Sequence, residues 1–232
     1  MKTKLFVLMA ATTCTFLSCT NAPETDEAKT TEAKEVDKNV SGEKWTLNVG
    51  DSKIEWIGTK VTGYHTGAVP LKSGEIYVNN NEVTGGRFVM DVANMSVSGP
   101  KSVDSASNKK LLGHLRSADF FDVTKYPEAS FELTSIKPYQ GNPVKDTADE
   151  RQDEISEYKV TNPTHTISGN LTIKGVTKNI EFPARITVSG NTAEAIAKFN
   201  IDRKEWGIIY KGKPDDLIRD AIHLGISIKA SK

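Results

Sequence analysis

The chain has 232 residues, with 30 basic and 30 acidic side chains. That length holds one large or two small domains, and a formal charge of zero lacks the electrostatic footprint of a nucleic-acid binder. The only cysteines are Cys14 and Cys19, so the remainder of the chain has no disulfide, zinc-thiolate site or cysteine nucleophile.

The first nineteen residues read MKTKLFVLMAATTCTFLSC. Lys2 and Lys4 precede an apolar run from Leu5 to Ala11 that is too short to span a bilayer as a helix, the pattern of an export signal. Ser18 before Cys19 resembles a bacterial lipoprotein cleavage site, with Phe16 where leucine is usual. The resemblance implies a signal peptide over 1–18 and a lipidated Cys19 as the membrane anchor. An ordinary signal cut near Ala11 or Ser18 is the alternative.

Residues 19–43 are rich in Glu, Lys, Thr and Ala and lack aromatic side chains. Such a segment buries too little apolar area to offset its ordering entropy. It reads as a flexible tether ahead of a domain spanning 44–232.

From Trp45 onward apolar residues alternate with polar ones, the period of antiparallel strands with one apolar face. Ile54 and Trp56, Ile76 and Val78, and Phe88, Met90 and Val92 each share a parity. So do Phe131 and Leu133, Ile167 to Ile173, Ile180 to Val188, and Ile222 to Ile228. Asn79-Asn80-Asn81, Lys174-Gly175 and Ser189-Gly190-Asn191 supply turn residues tolerant of positive φ. Gly85-Gly86 inside a strand run predicts a bulge. About eight to ten strands result, and runs near ten residues suit a barrel better than a sandwich.

One short helix is expected over 104–116, capped by Asp104 or Ser105, with His114 and Arg116 in its last turn. A second helical turn is expected over 213–220, with Pro214 at its first position. Residues 145–157 are acidic and read as a solvated loop, with a mobile lid as the sharper alternative.

No motif for chemistry stands out. The four histidines, His65, His114, His165 and His223, lack the spacing of a metal site. No G-x-S-x-G, P-loop or G-x-G-x-x-G occurs, so no catalytic residue, metal or cofactor is assigned. His114, Arg116 and Asp119 have two readings: a clamp for an anionic headgroup, or ties between a helix end and a loop beneath an apolar plug.

Three segments together resemble the YceI-like family of secreted lipid-binding proteins. They are His114-Leu115-Arg116-Ser117-Ala118-Asp119-Phe120-Phe121-Asp122-Val123 with Lys125-Tyr126-Pro127, Ile167 through Lys178 with Phe182, and Phe199 through Arg203 with Trp206-Gly207-Ile208. The resemblance implies an all-β fold: an extended, lipocalin-like antiparallel barrel of about eight strands with one short helix. It also implies an apolar tunnel holding a polyisoprenoid, either a prenyl pyrophosphate or an isoprenoid quinone. Parity then predicts that Phe88, Met90, Phe131, Leu171, Ile173, Phe182 and Ile226 point inward, with Phe120, Phe121 and Trp206 also lining the tunnel. A storage or transport role in the cell envelope follows, at the outer membrane facing the periplasm or on the cell surface. Oligomeric state stays open. An envelope enzyme acting on a lipid and a solid, ligand-free barrel are the rivals.

Overall fold

A computed structural model describes residues 21–37, 40–100, 103–141 and 157–232. Cys14, Cys19 and all of the acidic 145–157 loop except Glu157 lie outside these residues.

The described chain forms, in order, β1 (Lys29–Glu32), β2 (Glu43–Leu47), β3 (Lys53–Lys60), β4 (Gly63–Ala68), β5 (Leu71–Asn79), β6 (Glu82–Asp91) and β7 (Ser96–Gly99). After α1 (Ser105–Arg116) come β8 (Glu128–Pro138), β9 (His165–Ile173), β10 (Val176–Ser189), β11 (Thr192–Asp202), β12 (Gly212–Lys213) and β13 (Asp216–Ser231). Eight antiparallel strands close a barrel in the cyclic order β2, β5, β6, β8, β9, β10, β11, β13. β3, β4 and β7 follow or precede β2, β5 and β6 across short breaks, among them the 3-10 turns Val49–Asp51 and Val92–Asn94. β3 pairs with β4 and β4 with β7, which prolongs one end of the barrel.

The turns follow their residues. Asn80 and Asn81 have φ of 51° and 63°, and Lys174 and Gly175 have φ of 50° and 76°. Both central residues are left-handed, the requirement of a tight hairpin whose twist matches its strands. The predicted bulge is present: Tyr77 faces Gly85 and Val78 faces Val83, leaving Thr84 as the extra residue. Asp104 caps α1 by accepting from the backbone N–H groups of Ala106 and Ser107, each at 2.9 Å.

Two expectations are corrected. No helical turn forms over 213–220. Lys213 instead pairs with Asp216 in a β12–β13 hairpin, and Ile218 takes up strand parity with Ile222 on the cavity side. The tether expectation also fails for part of its length. Residues 29–32 are a strand along β10, paired with its backbone and flanked by a polar side-chain clamp in place of an apolar face. Asn170 accepts from the Lys34 N–H at 3.0 Å and donates to the Lys34 carbonyl at 2.7 Å.

The three segments that carry the family resemblance converge on one barrel end. Lys174 donates to the Ala118 carbonyl at 2.8 Å, and Trp206 donates to the Leu171 carbonyl at 2.9 Å. Buried Arg203 binds the carbonyls of Ile208 and Arg219 and the Asp220 carboxylate. These residues build the cap of the fold.

Candidate functional site: an apolar cavity in the barrel

Alternation along the strands sends one face of every stave into the barrel. There the side chains enclose a cavity of about 530 Å³, within the roughly 300–1,000 Å³ range of small-molecule sites. Phe88, Met90, Phe120, Phe121, Phe131, Leu171, Ile173, Phe182, Trp206 and Ile226 all stand on its wall. His114 is on the wall; Arg116 is not.

The burial pattern is that of a hollow barrel. A close-packed interior leaves few voids larger than a water molecule. Here Ile54, Phe88, Phe131, Leu133, Ile186, Leu224 and Ile226 face inward yet are only partly buried. Their free surface borders the cavity. On β11, Ala193, Ala195 and Ala197 share the inward face, and their small side chains keep that side of the lumen wide.

Four phenylalanines form a belt around half the wall. Ring centroids lie 6.4 Å apart for Phe88 and Phe131, 6.0 Å for Phe131 and Phe182, and 4.1 Å for Phe182 and Phe199. The belt crosses β9 at Gly169. A Cβ there would stand 2.1 Å from Phe131 Cζ, so only glycine lets the ring lie against that strand.

The polar lining gathers toward the prolonged end. The Lys60 ammonium is bound to the Asp216 carboxylate, whose other oxygen accepts from the Thr62 N–H at 3.1 Å and hydroxyl at 2.9 Å. Burial pushes the Asp216 carboxyl up, but these bonds outweigh it and hold it below its ordinary value. Burial first, and the charge of Lys60 second, push the neighbouring His65 imidazole down, against an opposing hydrogen bond with the Gly99 backbone. Lys60, His65, Tyr210, Lys213 and Asp216 carry no motif that marks them as site residues in the sequence, since they come from separate strands and turns.

The headgroup clamp expected from His114 and Arg116 is not assembled. His114 pairs with Asp119 at 3.0 Å and packs edge-on against Phe120 and Tyr210, with centroids 5.0 and 4.8 Å away. Arg116 turns toward the Met95 carbonyl at 3.5 Å. The two side chains leave the helix on different sides because they are two residues apart, and a helix brings together residues three or four apart. The other histidines bond the Gly99 backbone (His65), Thr164 (His165) and Asn200 (His223).

A family model described as the YceI-like domain matches residues 45–230. Curated relatives match over a shorter stretch. The protein YceI of Shigella flexneri is 38% identical over 78 residues, which are 34% of this chain and 29% of that protein. A UPF0312 protein of Pectobacterium carotovorum is 36% identical over the same shares. The matched stretch therefore spans less than a third of these relatives' length. Among solved structures, Burkholderia cenocepacia BcnA superposes with a TM-score of 0.58 at 17% identity, covering 80% of this chain and 99% of its own. A polyisoprenoid binding domain from Saccharophagus degradans, implicated in plant cell wall breakdown, gives 0.55 at 12% identity, with 81% and 97% covered. At these identities the likeness is one of fold.

Proposed function

The chain belongs to the YceI-like domain family, and from that premise we propose that it binds one long apolar lipid, a polyisoprenoid, inside the barrel. The observation that carries the reading is the set of inward apolar side chains left partly uncovered around a 530 Å³ cavity. Burying each CH₂-sized group of a chain there contributes about 0.8 kcal/mol. Affinity then grows with apolar length and needs few polar contacts. The polyisoprenoid-binding description of the Saccharophagus domain supports the ligand class; a prenyl pyrophosphate and an isoprenoid quinone are the two candidates. The export signal and the Ser18-Cys19 junction support an exported lipoprotein, held at the outer membrane through Cys19 and facing the periplasm. Its task there is storage or transport of the lipid in the envelope.

The test is a titration of delipidated protein with geranylgeraniol, an isoprenoid alcohol, followed by tryptophan fluorescence, since Trp56 and Trp206 are on the wall. A saturable change at one ligand per chain is expected. The absence of a saturable change up to the solubility limit overturns the reading.

A further inference from the structure

The barrel wall has a seam between β10 and β11. β10 pairs with β11 only from Ala184 and Ala197 toward their hairpin. Beyond that point the two strands part, and the N-terminal segment fills the gap. On one side Lys29, Thr30, Thr31 and Glu32 pair antiparallel with Glu181, Ile180, Asn179 and Lys178 of β10. On the other, Asn200 of β11 donates to the Asp26 carbonyl and accepts from the Ala28 N–H, both at 2.9 Å. The segment is thus an inserted stave, paired on both edges.

This stave differs from its neighbours in how it is held. Lys29, Thr31 and Glu32 are exposed, Ala28 and Thr30 are half-buried, and none is large and apolar. Backbone hydrogen bonds and polar side chains hold it: the Asn170 clamp on Lys34, Asn200 bonds to the Pro23 carbonyl at 3.0 Å and the Glu27 carboxylate at 2.9 Å, a Lys34 bond to Ser168 at 3.2 Å, and the Lys178–Glu32 and Lys159–Asp26 ion pairs at the barrel surface. Elements with few buried apolar contacts and solvent-exposed backbone bonds open at the lowest free-energy cost. Directly behind it are Ile180, Phe182, Phe199 and Ile201, all on the cavity wall. The Phe182–Phe199 stack bridges the two parting strands, with ring centroids 4.1 Å apart, and stands between the stave and the lumen.

We propose that the β10–β11 seam is a lateral portal for the apolar ligand, and that the strand at 29–32 is the removable stave that closes it. The inference rests on the lipid-binding reading above. It gives the lipid a side entry, so the chain can pass into the lumen without threading past the polar residues at the prolonged end.

The test locks the stave. Lys29→Cys and Glu181→Cys, at directly paired positions, are introduced into the full chain with Cys14→Ser and Cys19→Ser. Geranylgeraniol association and dissociation are followed by stopped-flow tryptophan fluorescence, before and after reduction of the new disulfide. Both rates are expected to fall at least tenfold in the oxidised protein, with the equilibrium affinity unchanged, and to recover on reduction. Asn170→Ala, which loosens the clamp, is expected to raise both rates. Equal rates in the oxidised and reduced forms overturn the portal while leaving lipid binding intact. Saturable binding in neither form overturns the lipid reading and the portal with it.

Discussion

The indole N–H of Trp206 donates to the carbonyl of Leu171 at 2.9 Å, and the Trp206 side chain is fully buried. This bond ties the segment after β11 to the middle of the second recognisable segment, and both residues face the cavity. Trp206→Phe keeps an aromatic plug and removes the donor. The expected loss is about 1–3 kcal/mol, the range for removing one partner of a buried hydrogen bond, read as a lower urea midpoint with an unchanged slope.

Gly169 is under stronger steric control than any backbone requirement, since its position meets the Phe131 ring. Gly169→Ala is expected to destabilise by about 1–3 kcal/mol, as overpacking does. Phe131→Leu should relieve most of that added cost, giving a favourable coupling in a double-mutant cycle. Additive losses measured by denaturant titration would show that the two positions do not meet.

The polar clamp on the N-terminal segment predicts a local effect. Asn170 is also bound by Asn179, whose Nδ2 donates to it at 3.1 Å. Asn170→Ala should therefore raise amide exchange in peptides covering 26–34 by at least tenfold, with little change in β8 or β13 away from the clamp. Hydrogen exchange read by mass spectrometry resolves these segments.

His223 predicts a pH dependence. It faces outward from β13 beneath Tyr158, whose ring centroid is 5.5 Å away, and its Nδ1 bonds Asn200 Oδ1 at 3.1 Å. Burial first, and the charge of Lys198 second, push the imidazole down to about 4. The folded value lies below the ordinary value of 6.5, so the unfolded chain takes up the proton first. The contribution of a neutral His223 is complete above about pH 6.5 and is lost as the pH falls toward 4. The full loss is on the order of 3 kcal/mol. Urea midpoints measured across that window should fall for the wild type and fall less for His223→Gln.

Much of the fold was legible because period-two alternation survives from β3 to β13, and because Asn80-Asn81 and Lys174-Gly175 allow few other turns. The ten wall residues followed from the same parity together with the recognisable segments. What escaped was set by partners distant in sequence. Nothing local distinguishes Thr30 from a residue in a solvated tether. Its strand exists because β10 and β11 part and Asn170 waits 136 positions away from Lys34. The 213–220 turn was misjudged because Pro214 and the following acidic pair fit a helix start as well as a hairpin, and pairing of Lys213 with Asp216 decided between them. His114 and Arg116 were grouped by proximity in sequence, whereas α1 turns them to different surroundings.

A barrel that is hollow in order to hold a long apolar chain carries that chain when it is isolated gently. Native mass spectrometry of the full chain, extracted gently and compared with Ala195→Trp, tests it most directly. Ala195 lines the cavity between Ile186 of β10 and Ile228 of β13, so an indole there would project into the lumen. One lipid-sized adduct is expected on the wild type, recovered by organic extraction, with its loss or strong reduction in a folded Ala195→Trp protein. Wild-type protein recovered repeatedly without an adduct, and taking up no geranylgeraniol when it is supplied, would contradict it.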